Sequence, residues 1–74
     1  MDYRLDEMIR SRLEQLQSKG SVSEFLLAWR GPPSQLEPSV TVWSSHQSEQ
    51  RLSDDLRLML GGLVPDDRIS IVAE

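Results

Sequence analysis

The chain has 74 residues, of which 38% are hydrophobic and 27% are charged, and its net charge is −4 at pH 7. This length allows one domain, residues 1–74, with a small core and no room for a deep substrate cleft. The acidic balance disfavours nucleic acid as a partner. No apolar run approaches the roughly 20 residues that span a bilayer, so we expect no direct membrane insertion.

The first segment has the pattern of an amphipathic helix. The acidic Asp6 lies near its start and the basic Lys19 near its end. The helix dipole favours negative charge at the first of these ends and positive charge at the second. Gly20 is well placed to end the helix. The apolar residues at helical spacing are Leu5, Met8, Ile9, Leu13 and Leu16.

Residues 20–31, GSVSEFLLAWRG, fit both a helix and a strand. Ser21 and Glu24 have the spacing of a capping box, which favours a helix. The apolar run FLLAW also alternates, which is typical of a strand. A helix here would leave two parallel strands, too small a sheet for a stable domain. We therefore predict a strand over residues 23–30, at the centre of the sheet because it is the most apolar strand.

The next segment, residues 31–38, contains three prolines and a glycine and predicts irregular structure. Residues 39–45, SVTVWSS, alternate in the manner of a strand. We expect Val40 and Val42 to face the core and Trp43 to point to the other side of the sheet. The alternative is that Trp43 turns inward and the two valines are exposed.

A second amphipathic helix is predicted before a closing strand. Its apolar stripe consists of Leu52, Leu56, Met59, Leu60 and Leu63. The glycine pair at 61–62 and then Pro65 predict its end. Its start has two candidates, a capping box of Ser44 with Gln47 or a cap at Ser53. The closing strand is predicted over residues 68–73.

The order helix, strand, strand, helix, strand predicts an α+β fold. We expect a two-layer αββαβ domain with a three-stranded mixed sheet and two helices packed on one face. The other face is then uncovered, and exposed apolar residues on it are typical of a partner surface. The alternative is that the tryptophans serve the core. Candidate protein-interaction residues are Trp43, Trp29, Leu26 and Val72.

Motifs for catalysis or for binding a cofactor or metal are not evident, so we expect a protein that is not an enzyme and needs no cofactor. His46 is the only histidine and lies in a polar connector. The acidic pairs at 54–55 and 66–67 lack the ligand spacing of a calcium loop. Cysteine is absent, which excludes disulfides and leaves a partner subunit as the expected source of added stability.

Five segments of the chain together match the pattern of a known family. They are the amphipathic helix over residues 5–16, GSV at residues 20–22, PSVTV at 38–42, GL at 62–63 and DRISIV at 67–72. Together they resemble the ring-building motif of inner-membrane ring proteins of type III secretion systems and of the flagellar MS-ring protein. The resemblance implies an oligomerisation module, a structural subunit domain of a bacterial secretion or envelope ring. It also implies a location on the periplasmic side of the inner membrane.

Related periplasmic domains of type II secretion and type IV pilus assembly proteins have a similar order of elements. A different reading of the whole chain is a small soluble adaptor or inhibitor that binds one partner protein through the exposed sheet face. Such an adaptor would stay monomeric until its target is added, whereas a ring module would self-associate. The location would then be cytoplasmic.

Overall fold

The computed structural model describes residues 3–44 and 49–73. The elements in chain order are α1 (Tyr3–Ser18), β1 (Glu24–Arg30), β2 (Glu37–Ser44), α2 (Glu49–Leu60), a short 3₁₀ turn (Asp66–Arg68) and β3 (Ile69–Ala73). β1 pairs with β2 in antiparallel orientation, and β2 pairs with β3 in parallel orientation. The predicted α+β class, with two helices and a three-stranded mixed sheet, is confirmed.

The end of α1 follows from its glycine. Gly20 has a φ of +83°, a conformation that glycine adopts without steric cost. The Gly20 N–H donates to the Gln17 carbonyl at 3.1 Å, and the Ser21 N–H donates to the Leu16 carbonyl at 3.0 Å. These two bonds satisfy carbonyls that the last helical turn leaves without partners, in the pattern of a Schellman motif. The prediction that Gly20 ends the helix is confirmed.

The strand predicted over residues 23–30 exists, but its predicted place in the sheet is wrong. The strand order is β1-β2-β3, so β2 lies at the centre and β1 at an edge. The short connector after β1 makes β2 its antiparallel neighbour, and the crossover through α2 brings β3 to the other side of β2. Apolar content therefore did not decide the strand order. Within β1 only Leu27 is buried, and Leu26 is 53% exposed.

The irregular segment predicted over residues 31–38 is shorter in the structure, because β2 begins at Glu37 and includes Pro38. Proline cannot donate a backbone hydrogen bond and is confined to strand positions where none is needed. Pairing of β2 with β3 begins only at Val40. Pro38 thus lies where β2 has a single neighbouring strand.

A cap at Ser53, one of the two predicted starts of α2, is wrong, and the other start depends on residues 45–48, which lie outside the described part of the chain. Ser44 is the last residue of β2 and Ser53 lies inside α2, which begins at Glu49. Gln47, the other half of the proposed capping box, lies outside the described residues. The predicted end at the glycine pair is confirmed, since the last helical residue is Leu60 and Gly62 has a φ of +79°. Leu63, predicted in the apolar stripe of this helix, lies beyond its end and packs against the core from the turn.

The core lies between the helices and one face of the sheet. Its buried apolar residues come from both helices, from the helix-facing side of β1 and β2, and from the turns after the helices. They are Ile9, Leu13, Leu16, Val22, Leu27, Val40, Val42, Leu52, Leu56, Leu60 and Val64. Arg12 Nη1 donates to the Met59 carbonyl at 2.9 Å and ties α1 to the end of α2. The opposite sheet face has no helix over it among the described residues.

Candidate protein-interaction surface

The strand period of two divides β2 between two environments. Val40 and Val42 are 0% exposed and face the helices, as predicted. Thr41 and Trp43 alternate with them and so point to the other face, where both are partly exposed. We call this uncovered side the open face. Its residues are Glu24, Leu26, Ala28 and Arg30 of β1, Glu37, Ser39, Thr41 and Trp43 of β2, and Ser70 and Val72 of β3.

Three apolar side chains meet at one end of the open face. In the sheet register Val72 is the neighbour of Trp43, and Leu26 is the neighbour of Thr41. Leu26 is therefore diagonal to Trp43, within reach of a large aromatic side chain. Leu26 is 53% exposed and Val72 is 39% exposed. We refer to Leu26, Trp43 and Val72 as the apolar cluster.

The opposite end of the open face is charged. Arg30 of β1 is the register neighbour of Glu37 of β2, and Arg68 Nη2 lies 3.4 Å from Glu37 Oε2. Both side chains of this ion pair are about half exposed, so it contributes little to stability. The open face thus has a charged end and an end that carries the apolar cluster, where the exposed Glu24 is the register neighbour of Trp43.

Backbone contacts fix the end of β2 that carries Trp43. The Ser23 N–H and hydroxyl both donate to the Trp43 carbonyl, at 2.8 and 3.0 Å. The Ser44 hydroxyl donates to the Ser21 carbonyl at 2.9 Å. The sequence does not predict these contacts, because serines near strand ends have no spacing that identifies their partners. They hold the apolar cluster at a defined position relative to β1.

Trp29, the remaining candidate residue, lies on the helix-covered face and is separated from the apolar cluster. Its indole Nε1 donates to Asp6 Oδ1 of α1 at 2.9 Å, and Arg10 Nε donates to Asp6 Oδ2 at 2.9 Å. The hydrogen bond from Trp29, with the added effect of the Arg10 guanidinium, lowers the pKa of Asp6 against the opposing effect of burial. In this position Trp29 fixes α1 over β1.

Exposed apolar side chains also occur on the helices. Met8, which the sequence places in the apolar stripe of α1, is 40% exposed and lines a shallow groove whose wall also includes Met59 of α2. Leu58 on α2 is 85% exposed. These positions are scattered among charged residues and do not form a second cluster like that of the open face.

Within residues 3–44 and 49–73 no group of three or more His, Cys, Asp or Glu side chains is arranged to hold a metal ion. His46 lies outside that part of the chain. None of the helices that the structure describes has both the length and the apolar content to cross a bilayer. No family model, no curated protein and no solved structure matches the chain.

Proposed function

We propose that this chain is a non-enzymatic protein-interaction domain whose open face binds another protein. The observation that carries the proposal is the apolar cluster, which collects Leu26, Trp43 and Val72 from three different strands on a face without a covering layer. Contiguous exposed apolar residues are uncommon on small soluble domains and are typical of partner surfaces.

The composition of the open face suits an interface. Tryptophan is enriched among residues that dominate binding energy, and Trp43 is central in the cluster. Polar side chains border the cluster, Glu24 opposite Trp43 on β1 and Thr41 and Ser70 one step along the same face. A polar rim around an apolar centre is the usual organisation of a protein–protein contact.

The family resemblance favours one kind of protein partner, another copy of the chain. The domain would then be an oligomerisation module, a subunit domain of a bacterial secretion or envelope ring. The order αββαβ with both helices on one side supports this form, as does the segment from Gly62 to Val72, which contains the turn after α2 and most of β3. In a ring, the open face of one copy would contact a different surface of the next copy. Repetition of such a head-to-tail contact forms a closed ring when the rotation between neighbouring copies divides a full turn evenly.

Site-specific photo-crosslinking in cells that produce the chain tests the proposal. A photoreactive amino acid replaces Thr41 on the open face, and a matched control replaces Asp54, an exposed residue of α2. We expect a discrete adduct from position 41 only. An adduct at multiples of 8.5 kDa indicates self-association, and any other mass indicates an adaptor with a separate partner. Equal or absent adducts at both positions would contradict the proposal.

A further inference from the structure

The outer edge of β1 is the longest strand edge without a neighbour in the part of the chain that the structure describes. β1 has seven residues and pairs only with β2, whereas the other edge strand, β3, has five. Natural edge strands are usually short, bulged or covered, or carry charged side chains, especially lysine, or proline, and in β1 the only charges are at its two ends. The sequence of β1, EFLLAWR, contains neither lysine nor proline.

Pro38 shows which backbone groups point to this free edge. In an antiparallel pair, hydrogen-bonded and non-hydrogen-bonded residue pairs alternate. Trp29 is the register partner of Pro38, which has no N–H, so this is a non-hydrogen-bonded pair. By alternation Phe25 and Leu27 occupy pairs of the same kind. Their N–H and C=O groups, with those of Trp29, therefore point away from β2.

The side chains of β1 are complementary to the same strand in reverse. A second copy related by a two-fold axis at Leu27 would place its Arg30 opposite Glu24 and its Trp29 opposite Phe25. Opposite charges and aromatic pairs stabilise neighbouring antiparallel strands. In the register with β2, Glu24 is opposite Trp43 and Arg30 opposite Glu37, while Glu37 is in an ion pair with Arg68. Neither Glu24 nor Arg30 forms an ion pair with another described residue.

Burial at this edge is incomplete. Phe25 and Trp29 point to the face that α1 covers, yet both remain partly exposed, unlike Leu27 between them. A neighbouring strand with its own α1 would cover these two rings. It would also place the most apolar strand of the chain in the interior of a sheet, where such strands are usually found.

We infer that a second copy of this chain pairs with the first along β1, in antiparallel orientation about Leu27. The two three-stranded sheets then form one sheet of six strands with all helices on one side. The contact uses the strand edge rather than the open face, so it goes beyond the proposed function. The two open faces become one continuous surface that carries both apolar clusters.

Charge reversal at the strand ends tests this inference by sedimentation equilibrium over a range of concentrations. Wild type should dimerise, and Glu24→Arg or Arg30→Glu alone should weaken the dimer about tenfold or more, because like charges then face each other twice. The double variant should dimerise as wild type does. An equal mixture of the two single variants should also form a dimer, since their charges are complementary.

The mixture also controls for folding, because Arg30→Glu places a carboxylate beside Glu37 within the same chain. Damage to the fold would not be repaired by mixing. A wild-type chain that stays monomeric up to about 1 mM would overturn the inference. So would a dimer that all variants form equally. Neither result bears on crosslinking from Thr41, so failure of this inference and failure of the proposed function are distinguishable.

Hydrogen exchange of backbone amides supplies a second test without substitutions. The amides of Phe25, Leu27 and Trp29 should become protected as the concentration rises. Those of Leu26 and Ala28, which alternate with them and point to β2, should be protected at every concentration. Protection of all five amides that is independent of concentration would overturn the assignment of the free edge.

Discussion

The two faces of the central strand differ sharply over a distance of one residue. Val42 is fully buried under the helices, and Trp43 lies on the open face beside the exposed Val72. The first face supplies the core and the second is available for recognition. Because adjacent strand residues point to opposite faces, stability and binding depend on different residues of the same strand. Substitutions on the two faces should therefore have different consequences.

The largest effect is expected on the covered face, from Leu56→Ala. Leu56 is 0% exposed in the middle of α2, and its truncation should lower the free energy of unfolding by about 2–5 kcal/mol. Urea denaturation measures the loss. Leu58→Ala is the matched control on the same helix, since Leu58 is 85% exposed and its loss should stay within about 0.5 kcal/mol. Equal losses for the two variants would show that α2 packs by another face.

An intermediate effect is expected where α1 meets β1. Trp29→Phe removes the indole N–H that donates to Asp6 but retains most of the aromatic volume. The free energy of unfolding should fall by about 1–2 kcal/mol, because Asp6 loses one partner of its carboxylate. Denaturant unfolding at pH 7 measures this. An unchanged midpoint would mean that the contact between Trp29 and Asp6 does not stabilise the fold.

The same contact predicts a dependence on pH. The pKa of Asp6 is lowered by the Trp29 hydrogen bond and by Arg10, so the folded state favours the ionised carboxylate more than the unfolded chain does. This contribution is fully present above the ordinary pKa of 3.8 and is lost as the pH falls through the lower folded value. The difference in unfolding free energy between wild type and Asp6→Asn should become smaller as the pH falls below 3.8. A difference that is constant between pH 7 and pH 2 would contradict the assignment.

A small effect on folding is expected on the open face, from Trp43→Ala. Its cross-strand contacts are worth about 0.2–1 kcal/mol each, so the free energy of unfolding should fall by about 1 kcal/mol. Val42→Ala, the adjacent residue on the covered face, should cost about 1.5–3 kcal/mol. Thermal and urea unfolding of both variants compare the two faces directly. A larger loss for Trp43→Ala than for Val42→Ala would make Trp43 a core residue.

The sequence was sufficient to predict features that depend on local pattern. The helical period identified α1, Gly20 identified its end, and strand alternation predicted that Val40 and Val42 face inward. Each of these follows from residues within a few positions of one another. Such patterns show which face of an element is apolar, and here they led to the correct fold class.

Features that depend on distant partners were not predicted. The order of the strands depends on where the connecting segments place each strand beside the others. The apolar content of β1 therefore led to the wrong prediction that β1 lies at the centre of the sheet. The partner of Trp29 is Asp6, 23 residues away, and becomes evident only when α1 lies over β1. Three of the four candidate residues meet on the open face, but their role in binding stays a prediction.

The central claim is that the apolar cluster binds a protein, and crosslinking from position 41 with and without Trp43→Ala tests it most directly. We expect the adduct from position 41 to decrease about tenfold or more when Trp43 is truncated, as for a residue that dominates an interface. The variant should remain folded by circular dichroism. An adduct of unchanged yield from a folded Trp43→Ala chain would contradict the account.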